Sequence, residues 1–245
     1  MIPVMLPIAL LTILQPTAPL TDQFTAIAKT SGGRVGVFAQ VIESQESAGL
    51  IEAERFPMQS VYKVPIAMAV LDQVDRKALT LNQKVSLSAG DMVPIVHSPL
   101  HDAHPRGGID ISVRDLIRAA IVDSDGTASD VLLRIAGGFP RVTAYLRGLG
   151  IRDMVVATTE REMSRDPMAQ YRNYSTPRAA VFPSRVLSVP VLCATTVPSG
   201  SSPLIRRGPG VESARSCRSS VRAAGDTPRP AWSAFKRSTA ARGVE

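Results

Sequence analysis

The sequence predicts an α+β fold in which a helical domain packs on an antiparallel sheet. Three observations carry this. A β-branched, apolar stretch at 34–42 is followed, after a polar turn, by a second at 48–54; helical spacing begins at Ser60; and three further helical segments succeed one another between Ser112 and Arg147. A chain of 245 residues with 44% hydrophobic content can bury a sizeable core.

Taken in order, the apolar run Ile2 to Leu14, with Gln15, Pro16 and small residues through Ala18, matches the hydrophobic region and cleavage zone of a secretory signal. Residues 1–20 are therefore read as a signal peptide, although no Lys or Arg precedes the run; a buried N-terminal helix is the alternative. The run is too short and too soon interrupted for stable membrane insertion. Phe24, Ile27 and Ala28 mark a short helix, which Ser31-Gly32-Gly33 breaks. Arg34 to Ile42 and Ala48 to Glu54 read as a hairpin, with Phe56-Pro57 ending its second strand. Val64, Ala67, Met68 and Leu71 recur at helical spacing and make Ser60 to about Val74 an amphipathic helix.

The stretch from Leu79 to Gly108 reads as extended loop. Ser112-Val113-Arg114-Asp115 has the pattern of a capping box ahead of a helix that continues through Leu116 to Val122. Thr127 to Ala136 places Val131, Leu132 and Ile135 on one face and stops at Gly137-Gly138. Pro140 to Arg147 opens with proline in its first turn and ends near Gly148. Met154 to Ala157 is a short apolar piece leading into a polar loop that runs to about Pro177.

The formal charge of +7 is unevenly spread. Residues 1–177 hold 17 Lys+Arg against 18 Asp+Glu, and residues 178–245 hold 11 against 3. That last segment also contains ten Arg, eleven Ser and seven Pro, with no sustained period of 2 or 3.6. It reads as a poorly folded, solvated tail in preference to a nucleic-acid or anionic-lipid surface, so no nucleic-acid partner is expected. Both cysteines, Cys193 and Cys217, lie there, leaving residues 21–177 without a thiol to report a redox compartment.

Chemistry concentrates in Phe56-Pro57-Met58-Gln59-Ser60-Val61-Tyr62-Lys63. Positions i and i+3 share a helix face, so the Lys63 amine can stand beside the Ser60 hydroxyl and accept or relay its proton. A serine in the first turn also exposes its own backbone N–H, one half of an oxyanion site. His97, His101 and His104 lie close together, but in a loop, without cysteine or a His-x-x-x-His helix, so no metal is expected.

That string, with Val64-Pro65-Ile66-Ala67 after it, resembles the active-site helix of class A serine β-lactamases. Ser124-Asp125-Gly126 resembles the family's Ser-Asp-Asn element, whose serine shuttles a proton to the lactam nitrogen; Gly126 lacks the amide that would bind the substrate's acylamide side chain. Thr159-Glu160-Arg161-Glu162-Met163 resembles the family's acidic omega loop. The match gives Glu160 the place of the general base that activates the deacylating water, while Glu162 would point elsewhere. Ser164 stands where many members have an asparagine that helps hold this water, and His97-Ser98-Pro99 matches an aromatic-Ser-Pro stretch forming one wall of the cleft. Asp130 and Gln170-Tyr171-Arg172-Asn173 are similar to the extended-spectrum branch.

The resemblance covers about 21–177 and implies the serine β-lactamase/transpeptidase-like fold. It also implies hydrolysis of β-lactam antibiotics by acylation of Ser60, with Lys63 and Ser124 assisting, and release by Glu160-activated water. A penicillin-binding transpeptidase lacks such a base. A small-molecule β-lactam substrate, no cofactor, a monomeric state and a periplasmic or secreted location go with it. Beyond Pro177 the likeness stops. The family's Lys-[Ser/Thr]-Gly element, which supplies a cation for the substrate carboxylate and the second oxyanion N–H, finds no match; Lys236-Arg237-Ser238 lacks the glycine. The last three strands and the C-terminal helix find no candidate segments either. A reading-frame shift near Ala179 to Pro183 would produce so abrupt a change of composition, and a catalytically impaired homologue is the alternative function.

Overall fold

A computed structural model describes residues 19–181 and the backbone of 193–198. All but the last two residues of the signal-peptide reading, and most of the tail beyond residue 181, lie outside the described residues. In chain order the elements are α1 (Leu20–Ala28), β1 (Gly33–Gln40), β2 (Ser47–Leu50), β3 (Phe56–Pro57), a 3₁₀ turn (Gln59–Tyr62), α2 (Lys63–Asp75) and β4 (Lys84–Ser88). There follow α3 (Pro99–Ala103), β5 (Gly107–Ser112), α4 (Val113–Val122), α5 (Gly126–Ala136), α6 (Gly138–Gly148) and β6 (Met154–Val155). The last are α7 (Glu160–Arg165), a 3₁₀ segment (Pro167–Arg172), β7 (Tyr174–Ser175) and β8 (Cys193–Pro198).

The expected α+β arrangement is present. β2, β1 and β8 form an antiparallel sheet in that order, with Val37 opposite Leu50 and Ala194. Beside it α2, α4, α5 and α6 pack into one core around Ile66, Val70, Leu116, Leu132 and Leu146, all at 0–1% exposure. Residues 65–71 of α2 are buried in unbroken succession, so the expected helix is the central one of the bundle, buried on more than the single face an amphipathic helix would bury. Helix ends follow their chemistry. Ser112 Oγ caps α4 by accepting the Asp115 N–H at 3.1 Å, and Gly137 closes α5 at φ 93°, a left-handed conformation that glycine takes without a Cβ clash.

Four further expectations change. The second hairpin strand stops at Leu50, because Ile51 turns the chain at φ 38°; Phe56–Pro57 forms a separate strand paired with Tyr174–Ser175. The stretch from Leu79 to Gly108 is not simply loop. It contains α3 and β4, and β4 pairs antiparallel with β5, Lys84 facing Ser112 and Leu87 facing Ile109. The polar loop before Pro177 holds α7, started by a reciprocal capping box in which Thr159 Oγ1 accepts the Glu162 N–H at 3.0 Å and Glu162 accepts the Thr159 N–H at 3.1 Å. Within the segment read as an unpatterned tail, residues 193–198 form β8 on the free edge of β1, where a Thr-Thr-Val run suits strand geometry. Among the described residues no helix is long and apolar enough to cross a membrane.

Candidate active site

The Ser60 turn is set from both sides. Phe56, at 2% exposure, pairs with Ser175, and the Met58 N–H donates to the Asn173 carbonyl at 2.9 Å, so the segment entering the turn is fixed on β7. Gln59 then takes φ 47°, an uncommon conformation for a residue with a Cβ, and delivers Ser60 to the first turn with its side chain exposed. Lys63 follows at the start of α2 and is 3% exposed.

A buried ammonium must find a partner for each proton. Lys63 Nζ donates to the Ser124 carbonyl at 2.6 Å and to Ser124 Oγ at 3.2 Å, and pairs with Glu160 Oε1 at 2.9 Å. Ser124 Oγ in turn donates to Ser60 Oγ at 2.8 Å. Lys63 therefore reaches Ser60 through Ser124, where the i, i+3 spacing alone had suggested direct contact. The four side chains singled out in the sequence form one continuous path, Glu160–Lys63–Ser124–Ser60.

Ser124 occupies this place because of Asp125. Ser124 itself stands at φ 55°, between α4 and α5. Asp125, at 0% exposure, accepts the Ala128 N–H at 2.7 Å as the cap of α5 and also the Leu100 N–H at 2.7 Å. Ser98, likewise at 0% exposure, donates to both Asp125 oxygens at 3.0 and 3.1 Å and hydrogen-bonds Thr127 Oγ1 at 2.8 Å. The His97-Ser98-Pro99 loop and the Ser124-Asp125-Gly126 turn are thus locked together through buried polar atoms, with all of these acceptors satisfied.

Glu160 begins α7, and Asp130 on α5 holds that end by accepting the Glu160 N–H at 2.8 Å and the Arg161 N–H at 3.0 Å. Burial pushes the Asp130 carboxyl up to about 6, against the lowering effect of those two N–H bonds. Arg161 donates to the carbonyls of Gly90 at 2.7 Å and Met92 at 3.0 Å, tying α7 to the helical side. Asn173, at 1% exposure, closes the neck of the loop by accepting the Ala157 and Thr158 N–H groups at 2.7 and 3.0 Å. Glu162 turns away to its capping role, as expected.

The remaining sequence-selected residues divide. His97 is exposed; its Nε2 lies 2.8 Å from the Asp123 carbonyl, and its own carbonyl accepts the Gly126 N–H at 3.0 Å. Gly126 is buried where a Cβ would meet Val96 Cγ2 at 2.7 Å and Glu160 Cγ at 3.2 Å, so close packing fills the space a longer side chain would need. Ser164 donates to the Arg161 carbonyl of its own helix at 2.8 Å. Sequence reasoning missed two contributors. Tyr62 and Ser129, both at 1% exposure, stand directly behind Glu160, with the Tyr62 hydroxyl 3.0 Å from Glu160 Oε1 and 3.2 Å from Ser129 Oγ. Tyr62 lies inside the string quoted for Ser60, but nothing in that string says where its phenol points.

Residues 19–182 match the family model described as "Beta-lactamase enzyme family". The chain is 30% identical to beta-lactamase VEB-1 of Pseudomonas aeruginosa over 163 residues, 66% of this chain and 54% of that protein. It is also 30% identical to extended-spectrum beta-lactamase PER-1 of the same organism, over 66% of this chain and 52% of that one. The chain thus spans about half the length of these curated relatives. Among solved structures, a beta-lactamase from Chitinophaga pinensis superposes with a TM-score of 0.66 at 34% identity, covering 69% of this chain and 63% of that one. The TLA-1 extended-spectrum beta-lactamase superposes with the same TM-score at 31% identity, covering 69% and 61%. A structure titled as an ancestral class A beta-lactamase superposes with a TM-score of 0.62 at 32% identity, covering 69% and 63%.

Proposed function

Since the chain belongs to the beta-lactamase enzyme family, with class A enzymes among its structural neighbours, we propose that it hydrolyses β-lactam antibiotics through an acyl-enzyme on Ser60. The observation that carries this reading is the continuous polar path from Glu160 through Lys63 and Ser124 to Ser60. Lys63 gives a proton to Glu160, and the resulting amine draws the Ser60 proton through Ser124 as Ser60 Oγ attacks the lactam carbonyl. The ring C–N bond breaks as Ser124 passes a proton to the departing nitrogen and takes one from Lys63, and Glu160 then returns its proton to the Lys63 amine. Glu160 then takes a proton from water, whose oxygen attacks the ester, and that proton returns through Lys63 and Ser124 to Ser60, which leaves as the hydroxyl. The Ser60 N–H supplies one oxyanion donor. His97 lines the cleft wall, and the packing at Gly126 leaves substrate orientation to other groups. Function in the periplasm or outside the cell, as a monomer, belongs to the same reading. Nitrocefin turnover by the full chain, lost in Ser60→Ala, tests it; no turnover by the parent chain would sink it.

A second reading has its own observation. The family match ends at residue 182, and no Lys-[Ser/Thr]-Gly occurs between Pro177 and Glu245. A chain lacking that cation and the second oxyanion donor acylates feebly or not at all, and a reading-frame shift near Ala179 explains the loss. Restoring one base in the codons around Ala179 to Pro183 should then reveal a Lys-Thr-Gly downstream; a nucleotide sequence without one removes the frame-shift explanation.

A further inference from the structure

Tyr62 is a buried ionisable group that the scheme above does not use. Its ring packs in the core with Met58 and Ile66, and its hydroxyl has two neighbours, Ser129 Oγ at 3.2 Å and Glu160 Oε1 at 3.0 Å. Ser129 donates to the phenol oxygen, so the single phenol hydrogen is directed to the carboxylate, the stronger acceptor of the two. Lys63 Nζ reaches the same oxygen, Oε1, at 2.9 Å. Both donors therefore fall on one carboxylate oxygen, and Oε2 has its lone pairs to offer elsewhere.

The two donors differ in kind. Lys63 changes charge whenever it gives or regains a proton, and its grip on Oε1 changes with it. The phenol keeps its proton throughout, since burial and then the neighbouring Glu160 charge push its ionisation far above the ordinary tyrosine range. We propose that Tyr62 is a positioning residue for deacylation: its hydroxyl, backed by Ser129, holds Glu160 Oε1 while the lysine proton moves, so that Oε2 stays presented to the attacking water. This rests on the reading of Glu160 as the water-activating base. A phenylalanine at 62 would fill the same space and pack the same core, while removing only this hydrogen bond.

Stopped-flow acylation by nitrocefin, followed by intact-mass decay of the acyl-enzyme, tests the role on the full chain with Tyr62→Phe, Ser129→Ala and Glu160→Gln. Tyr62→Phe is expected to acylate within about threefold of the parent and to deacylate slower by on the order of tenfold to a hundredfold, the range for losing a hydrogen bond to a charged group. Ser129→Ala should slow the same step by less, and it decides the matter if circular dichroism shows Tyr62→Phe unfolded. Unchanged deacylation, or an equal loss in both steps, overturns the proposal. If Glu160→Gln accumulates adduct and Tyr62→Phe does not, only the tyrosine role falls. If Glu160→Gln releases product as fast as the parent, or the parent forms no adduct, the general-base reading falls and the tyrosine role with it.

Discussion

Lys63 Nζ and Glu160 Oε1 lie 2.9 Å apart, with the lysine side chain 3% and the glutamate 14% exposed, so two opposite charges are paired almost out of water. Removing one partner strands the other. Glu160→Ala should cost on the order of 3 kcal/mol of folding stability, and Lys63→Met combined with Glu160→Leu should cost less than that single change. Urea unfolding of the three proteins checks this; a Glu160→Ala loss below about 0.5 kcal/mol would place the pair in solvent.

Gly126 is held by space. A Cβ at this position meets Val96 Cγ2 at 2.7 Å and Glu160 Cγ at 3.2 Å, and valine has little rotamer freedom with which to retreat. Gly126→Ala should lower stability by about 1–2 kcal/mol. Gly126→Asn, which supplies the amide present in the family's Ser-Asp-Asn element, should lower nitrocefin turnover instead of raising it. Higher turnover in that variant, at unchanged melting temperature, would mean that the pocket has room.

Asp125 accepts two backbone N–H groups at 2.7 Å and the Ser98 hydroxyl at full burial. Asp125→Ala strands the two N–H donors, at about 1–3 kcal/mol each before relaxation, leaves the Ser98 hydroxyl only Thr127, and frees the turn that carries Ser124. A melting temperature lowered by ten degrees or more, on the order expected for such a loss, is the predicted result of thermal unfolding by circular dichroism. Retention of the parent melting temperature would contradict the locked-turn geometry.

Asp130 sets a pH dependence. Burial raises its carboxyl from the ordinary 3.8 to about 6 in the fold, so between those values the native state holds a proton that the unfolded chain has lost. This contribution favours the fold most at and below about pH 4 and is lost as pH rises through 6, a fall on the order of 2 kcal/mol. The difference in unfolding free energy between the parent and Asp130→Asn, measured from pH 4 to 7, isolates it. A difference that does not change with pH would mean that the carboxyl titrates as in water.

The candidate constellation was legible as a set of neighbours because serine, lysine and glutamate stand in short strings whose order along the chain is informative even when their distances are not. Ser60, Lys63, Ser124 and Glu160 meet as those strings implied. Residues acting behind them carried no such mark. Tyr62 reads as another apolar position of a helix start, and only the packing of α5 against α2 shows that its hydroxyl meets Glu160. The same holds for the fold. Local signals marked α4, α5 and α6 well, since Ser112 and Gly137 act on their own neighbours. β4 was lost in a presumed loop because its partner β5 lies beyond α3, and pairing across such an excursion leaves no local period. Ser164 was chosen by position in a motif, and its hydroxyl donates to the Arg161 carbonyl one turn back.

The most direct test of the polar path is to trap its intermediate. Glu160→Gln in the full chain, incubated with nitrocefin long enough for the slower acylation expected once Lys63 has no carboxylate to take its proton, and digested for peptide mass spectrometry, should carry the opened lactam on the peptide containing Ser60, and Ser60→Ala should carry none. A stable adduct on any other residue, or product released by Glu160→Gln as fast as by the parent, would contradict Ser60 as nucleophile and Glu160 as the group that releases it.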